Sequence, residues 1–112
     1  LYEYFYLRGK CYLELNEYSK ALNDGKQSIL IKNDFDRGYL LCGDCSILMN
    51  NIENAKDYYV RGHNLNGDNQ KLLMKGYHKA EHILMLQQLS MNIDVRHEII
   101  NNDTKQIYYA EI

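Results

Sequence analysis

Cysteine and histidine side chains stand at spacings that could bind a metal ion. The chain contains one Cys42-x-x-Cys45 pair, and His78 and His82 lie four residues apart with Glu81 beside them. A structural zinc site needs a second pair of ligands at a suitable spacing, which the cysteines lack, and the glutamate does not stand in the order of the zinc proteases. We therefore expect Cys45 to fill a packing position and the histidines to be solvated or to line a groove. The sequence predicts no metal site and no cofactor.

Motifs for catalysis are missing from the sequence as well. It has no glycine-rich phosphate loop and no arrangement of Ser, His and Asp with a supporting motif. Phosphoryl transfer and nucleophilic catalysis therefore have no recognisable set of residues. We predict that the protein is not an enzyme.

Basic side chains form a row, in which Lys71, Lys75 and Lys79 recur every four residues with His78 and His82 close by. Such a row could contact an acidic peptide or RNA, or it could simply be solvated. The 112 residues carry a net charge of −2, and the pI is about 6.1. This balance does not indicate bulk attraction to nucleic acid or to an anionic membrane. We therefore predict no nucleic-acid partner.

Membrane and secretory signals are not evident in the sequence. No run of about 18 apolar residues occurs. Residues 1–7 are mostly apolar, but they include Glu3, and no basic region stands before them. A signal peptide has a basic region followed by an apolar one, so this segment does not resemble a signal peptide. The three cysteines are an odd number, and reduced thiols inside the cell are the simplest interpretation. We expect a cytoplasmic protein without membrane insertion.

Residues of the same kind recur at a period of 34. The pairs one period apart are Phe5 and Tyr39, Gly9 and Gly43, Cys11 and Cys45, Ala21 and Ala55, and Asp34 and Asp68. A fixed period of this size is typical of stacked helix–turn–helix units. Because glycine inside a helix costs roughly 1 kcal/mol, the repeated small residues indicate close packing between helices.

Apolar residues at steps of three and four predict where the helices lie. The predicted helices run from Tyr2 to about Leu15, from Tyr18 to Ile31, from about Asp36 to Met49, and from Ile52 to about Leu65. Turns are predicted at residues 16–17 and 50–51. Asp34 and Asp68 are predicted N-caps because aspartate accepts hydrogen bonds from the first free N–H groups of a helix.

The third unit departs from the pattern. No turn interrupts residues 70–89, Leu73 occupies the aromatic place, and Gly76 stands one residue before the place of the repeated glycine. We predict one longer helix that covers the open end of the stack. After Ser90 the pattern fades: residues 93–100 could form a short helix, residues 101–103 a turn, and residues 104–112 stay undecided. The predicted organisation is all-α, with residues 1–34 and 35–68 as full units, residues 69–90 as a partial third unit and residues 91–112 uncertain.

The spacing of aromatic, glycine and alanine residues resembles the tetratricopeptide repeat. The signature of that family runs aromatic, two residues, Leu-Gly, two residues, Tyr, then Ala, three residues, Phe, then Pro. The chain departs from it where Arg8 and Cys42 replace Leu, Ser46 replaces Tyr, and Gly25 replaces the bulky aromatic that Tyr59 supplies one unit later. The resemblance implies a right-handed superhelix of helical hairpins, with two full repeats and a longer capping helix.

The resemblance also implies a non-catalytic scaffold that holds peptide segments in a concave groove lined by the first helix of each unit. The residues at the groove positions are Glu3, Tyr6, Lys10, Leu13, Arg37, Leu40, Asp44, Ile47, Lys71, Met74, His78 and Glu81. Positions one unit apart form two ladders, an apolar one of Tyr6, Leu40 and Met74 and a polar one of Lys10, Asp44 and His78. The apolar ladder suits an amphipathic helix or an extended segment with apolar anchors, or else its members pack against neighbouring residues.

Some members of the family bind the acidic C-terminal tail of cytosolic chaperones with a set of side chains called the carboxylate clamp. The clamp needs Lys and then Asn from the first unit, Asn from the second, and Lys and then Arg from the third. The clamp positions fall here on Tyr6, Lys10, Asp44, Met74 and His78. None of these matches the clamp, and Asp44 would repel an acidic tail. Lys75 and Lys79 have the right mutual spacing but lie one residue, about 100°, further round the helix. The clamp is therefore not expected.

Two functions are compatible with the sequence. The first is a protein-interaction adaptor that uses the concave groove, as part of a larger co-chaperone- or adaptor-like protein. The second is a structural segment of a longer superhelix, or a self-association module, that docks through Tyr2, Tyr4 and Phe5. The oligomeric state stays open.

Overall fold

The computed structural model describes the backbone of residues 1–100 and the side chains of residues 1–91. Its helices are α1 (Tyr2–Glu14), α2 (Tyr18–Ile31), α3 (Asp36–Leu48), α4 (Ile52–His63) and α5 (Gln70–Ile100). No strand occurs in the described residues, so the all-α prediction is confirmed for them. The chain divides into two units, residues 1–81 and residues 82–112, and the first holds α1 to α4 and the beginning of α5.

Asparagine ends α1 and α3 in the same way. Asn16 and Asn50 each adopt a left-handed backbone conformation with φ of 61°. The N–H of the next residue donates to the carbonyl five residues earlier, at 2.9 Å after Asn16 and at 2.8 Å after Asn50. This bond pattern closes a helix end in the Schellman motif, and asparagine tolerates the required φ better than most residues. The turns predicted at residues 16–17 and 50–51 are confirmed.

The predicted N-caps are wrong. α3 begins at Asp36 and α5 at Gln70, each two residues after the expected aspartate. Asp34 instead pairs with Lys32, with 3.0 Å between Oδ1 and Nζ. The N-cap position of α3 holds Phe35, whose ring packs edge-on against two tyrosines of α1 at centroid distances of 4.9 and 5.2 Å. Aromatic packing, rather than a capping hydrogen bond, places the beginning of α3.

Two other helix ends differ from the prediction. α4 ends at His63 rather than near Leu65, and α5 continues past Ser90 to Ile100 rather than ending near Leu89. Residues 93–100 are therefore part of α5 and not a separate short helix. Neither glycine nor proline occurs between residues 77 and 100, so nothing local interrupts the helix. The predictions for residues 101–103 and 104–112 concern residues outside the described part of the chain.

The side chains of the second unit are described as far as residue 91. This part of α5 exposes Met85, Leu86, Leu89 and Met91. Despite these apolar residues, none of the helices in the described part of the chain is long and apolar enough to cross a membrane.

Small residues lie buried at positions one period apart in the first unit. The buried pairs are Gly9 and Gly43, Ala21 and Ala55, and Ser28 and Gly62. Cys45 is buried as predicted. Cys11 is exposed, so the prediction that it takes part in close packing between helices is wrong. Around these positions the core forms two clusters. The first contains Ala21, Leu41 and Cys45, and the second contains Tyr39, Ala55, Tyr59 and Leu73.

The contact of α2 with α3 and the contact of α4 with α5 involve residues at equivalent positions of the 34-residue period. In the first contact the earlier helix supplies the small residue, and in the second contact it supplies the large one. A Cβ atom added to Gly25 of α2 would lie 2.8 Å from Sγ of Cys42. One period later, Tyr59 stands in the place of Gly25 and Gly76 in the place of Cys42. A Cβ atom on Gly76 would lie 2.5 Å from Cε1 of Tyr59. Gly76 is therefore the partner of the Tyr59 ring and not a displaced equivalent of Gly43.

A buried carboxylate in the first hairpin is paired with an arginine that departs from the repeat. Asp24 is only 4% exposed, and Nε and Nη2 of Arg8 donate to its two carboxylate oxygens at 2.8 Å each. The guanidinium also lies over the ring of Tyr4, 5.2 Å from its centroid. A buried carboxylate needs such a bidentate partner. Arg8, which stands one period before Cys42, supplies the charge that neutralises Asp24.

Candidate functional site

A cleft of about 360 Å³ lies between α3 and α5 in the first unit. It is lined by Leu40, Asp44, Tyr59, Leu72, Lys75, Gly76 and Lys79. A second cleft, of about 290 Å³, shares Asp44, Tyr59 and Lys79 with the first and adds Leu13, Ile47 and Leu48. Because of the shared residues, the two clefts form one continuous depression along α1, α3 and α5, which we call the groove.

The ring of Tyr59 forms the floor of the groove. It is 1% exposed and lies between two glycines, since a Cβ atom on either Gly43 or Gly76 would lie 2.5 Å from Cε1 of the ring. The Tyr59 hydroxyl donates a hydrogen bond of 2.6 Å to Oδ1 of Asp44. Burial and this hydrogen bond raise the pKa of Tyr59, so the phenol stays protonated and remains a donor. The floor is a rigid, buried surface.

Asp44 is the acidic residue among those that line the groove in the described chain. Its carboxylate is half-buried, and burial raises its pKa. The hydrogen bond from Tyr59 and the positive charges of Lys79 and Lys10 lower the pKa and only partly offset the effect of burial. The groove thus holds one partly desolvated carboxylate, with lysines close enough to act on it electrostatically.

Replacement of this carboxylate by an amide should change the pH dependence of stability. Because the pKa of Asp44 is raised in the folded chain, the folded state favours the protonated carboxyl. Its contribution to stability is present below the ordinary pKa of 3.8 and is lost as the pH rises through the raised value. We expect Asp44→Asn to raise the free energy of unfolding at pH 7 and to leave it nearly unchanged close to pH 4.

Urea denaturation at both pH values measures this difference, with Asp68→Asn as the control. Asp68 is exposed, so its substitution should alter stability little at either pH. A gain from Asp44→Asn that is equal at both pH values would contradict the assignment of the effect to ionisation of Asp44.

The predicted site residues are only partly brought together. Among the described residues, those of the predicted set that line the groove are Leu13, Leu40, Asp44 and Ile47. On α5, the lining residues are Leu72, Lys75, Gly76 and Lys79, whereas the predicted Lys71, Met74 and His78 do not line it.

The predicted residues outside the groove differ in their surroundings, and one residue of the groove also packs on the core. Tyr6 and Leu40 each pack against a core cluster, so part of the apolar ladder contributes to packing. Lys10 lies over the ring of Tyr6, with its Nζ atom 5.8 Å from the centroid. Arg37 is exposed, and Nδ1 of the exposed His78 lies 3.6 Å from Glu81.

A signal in the sequence could have located the lysines of the groove. Lys75 and Lys79 stand one period after Leu41 and Cys45, which are buried in the core. A lysine is rarely buried without a partner, so its presence at two core positions indicates that this side of α5 is accessible. Both lysines are exposed, and the groove is the surface that they reach.

The thiols of Cys42 and Cys45 are buried and have no exposed surface. Burial raises the pKa of each to about 12, so both thiols are neutral at physiological pH. Neutral buried thiols act as small apolar groups. The predicted packing role of Cys45 is confirmed.

Comparison with known proteins gives one partial similarity. No family model matches the chain, and no solved structure matches it. A stretch of 74 residues, which is 66% of this chain, is 35% identical to the outer dynein arm-docking complex subunit 4 of Xenopus laevis. The match covers 14% of the length of that protein, so the chain is similar to a small part of a much longer protein.

Proposed function

We propose that this chain is a tetratricopeptide-like module that binds a segment of a partner protein in the groove and performs no catalysis. The observation that carries this proposal is the groove itself, in which Leu13, Leu40, Ile47 and Leu72 surround a rigid floor. Apolar side chains at the mouth of a preformed cleft suit the anchors of a peptide or of an amphipathic helix.

The repeated geometry supports the finer description of the fold. Left-handed asparagines end α1 and α3 one period apart, and small residues are buried at equivalent positions in both hairpins. Such repetition is the basis of a helical solenoid, whose concave surface is built from the first helix of each unit. On this proposal the hairpins form a right-handed superhelix, and the beginning of α5 covers its end.

The similarity to a docking-complex subunit supports a role in protein assembly. The name of that protein describes a subunit of an outer dynein arm-docking complex. We infer that the present chain likewise contributes a contact surface, as part of an adaptor-like protein in the cytoplasm. The neutral, buried thiols of Cys42 and Cys45 are unsuited to nucleophilic catalysis.

Adding charge at the groove should weaken binding. Leu72 is 51% exposed and lines the groove, so Leu72→Glu should fold normally while placing a carboxylate among the apolar anchors. We expect the variant to lose at least about tenfold in affinity, which corresponds to 1.4 kcal/mol. The measurement is binding of the full chain to an array of synthetic peptides of varied composition, followed by titration of the peptides that bind.

The matched control is Leu30→Glu. Leu30 lies on α2, is 76% exposed and does not line the groove. It undergoes the same change in size and charge, so it should leave peptide binding unaltered. If both variants bind every selected peptide as well as the parent chain does, the groove is not the binding surface.

A structural role in a longer superhelix, or in self-association, is the second candidate. Tyr4 and Leu7 of α1 are 53% and 61% exposed, whereas Gly38 and Leu41, one period later, are buried. The face of α1 that carries Tyr4 and Leu7 is therefore exposed, whereas the equivalent face of α3 is covered by the rest of the unit. Tyr2 and Phe5, expected on the same docking face, are half-buried. Sedimentation equilibrium tests self-association, and a strict monomer at high concentration would argue against it.

A further inference from the structure

We propose that the segment bound in the groove is acidic and internal to its partner chain, with an apolar anchor beside Leu72 and carboxylates facing Lys75 and Lys79. This inference rests on the proposed function, because it names the chemistry of the segment that the groove would bind. It differs from recognition of a terminal carboxylate, since the lysines concerned both come from one helix and share their cleft with apolar side chains.

Two unpaired cations are the first observation. Lys75 and Lys79 line the groove and are exposed. Among the described residues, no carboxylate lies within 4.0 Å of either ammonium group to form an ion pair. Lys20 and Lys32 have such partners, Glu17 and Asp34, whereas the other described lysines of the unit lack one as well; Lys75 and Lys79 differ from these in lining the groove. The lysines of the groove are thus available to a carboxylate from another molecule.

The charge of the groove contrasts with that of the whole chain. The chain carries a net charge of −2, yet the groove-lining residues include two lysines and one carboxylate. Oxygen Oδ1 of that carboxylate, on Asp44, is occupied by the Tyr59 hydroxyl. A local excess of positive charge beside low-dielectric walls attracts an anionic ligand and favours its association.

The positions of the charges relative to the apolar wall define the ligand further. Leu40 and Leu72 lie in the same cleft as the two lysines, so an apolar anchor and an acidic residue would be bound by adjacent surfaces. Residues four apart on a helix lie roughly 5–6 Å apart at Cβ, and alternate residues of an extended segment lie roughly 7 Å apart. An acidic pair in either conformation could therefore face Lys75 and Lys79.

Protein fits these features better than RNA does. Binding of single-stranded RNA relies on exposed aromatic faces on which bases stack, but the Tyr59 ring is 1% exposed and covered by two glycines. Asp44 would repel phosphates that lie along the whole groove, whereas a peptide can place its acidic residues on the α5 side. An acidic peptide with an apolar anchor meets both walls of the groove.

The test is fluorescence anisotropy with the full chain and labelled synthetic peptides. The principal probe is an amidated peptide of Glu and Leu residues. Comparison probes replace Glu by Lys, replace Leu by Ser, or carry a free C-terminus, and a single-stranded RNA serves as the nucleic-acid probe. We expect the amidated Glu–Leu peptide to bind more tightly than the Lys–Leu and Glu–Ser peptides, with an affinity that falls as salt rises.

Charge variants then locate the contact. Lys79→Glu should weaken binding of the Glu–Leu peptide by at least about tenfold. Lys26→Glu makes the same charge change at an exposed residue of α2 that does not line the groove, and it should alter Kd by less than about twofold. Asp44→Asn removes a repulsive carboxylate and should strengthen binding.

Several results would overturn the inference. They are failure of the Glu–Leu peptide to bind, equal effects of Lys79→Glu and Lys26→Glu, binding that requires a free C-terminus, and preference for RNA. If instead an uncharged or basic apolar peptide binds and Leu72→Glu abolishes its binding, the acidic specificity is wrong while the proposed function stands. If Leu72→Glu and Leu30→Glu behave alike with every peptide, the proposed function itself fails.

Discussion

Tyr59→Ala is expected to lower the free energy of unfolding by about 3–5 kcal/mol, the usual cost of removing a large buried ring. The ring is 1% exposed and belongs to the core cluster that contains Tyr39, Ala55 and Leu73. Because glycines of α3 and α5 lie against it on both sides, its removal leaves a cavity where two helix contacts meet. Urea denaturation monitored by circular dichroism measures the loss.

Tyr59→Phe separates the ring from its hydroxyl. The phenylalanine variant keeps the packing between Gly43 and Gly76 but removes the 2.6 Å hydrogen bond to Asp44. We expect a smaller loss, of about 1–3 kcal/mol, because the carboxylate is left without its donor. If Tyr59→Ala costs no more than Tyr59→Phe, the ring does not hold the helices together.

Gly76→Ala is expected to be destabilising by about 1–3 kcal/mol, although alanine is the better helix former. The added methyl group would lie 2.5 Å from Cε1 of Tyr59. The ring cannot move away, because Gly43 of α3 lies equally close on the other side. The cost of overpacking should therefore exceed the gain of roughly 1 kcal/mol from helix propensity.

The same substitution should change sign in the Tyr59→Ala background. Without the ring, the alanine methyl group at position 76 enters empty space, and only the gain in helix propensity remains. A double-mutant cycle measures this coupling. If Gly76→Ala has the same effect with and without the ring, the close contact between Gly76 and Tyr59 does not determine the packing of α5.

Much of the fold could be predicted because the local signals agree with the global period. The asparagines at positions 16 and 50 predicted turns and adopt the same left-handed conformation. Alanine and glycine at equivalent positions predicted close packing and are buried. The N-caps could not be predicted, because the Asp34 carboxylate pairs with Lys32 and the ring of Phe35 packs on α1. Tertiary contacts there overrode a local preference.

The groove was harder to predict than the helices. The positions that the family resemblance implies include Leu13, Leu40 and Ile47, which line the groove. On α5 the lining residues differ from the implied ones, because α5 presents to the groove the side that α3 buries in the core. Lys75 and Lys79 mark that side, but the period alone assigns them no role. The Tyr59 floor depends on a contact between residues far apart in sequence, which no local pattern specifies.

The exchanged sizes at the two helix contacts make the hairpins non-interchangeable building blocks. Position 8 is equivalent to positions 42 and 76 at the 34-residue period. If residues 35–68 preceded residues 1–34, Tyr59 would therefore face Arg8, and two large side chains would compete for one space. Gly25 would then face Gly76 across an unfilled space. A repeat protein whose contacts are all alike tolerates the loss, gain or reordering of units. Here the large and small residues at the two contacts match only in the order in which the hairpins occur, so the sequence specifies the order of these hairpins, and the groove depends on that order.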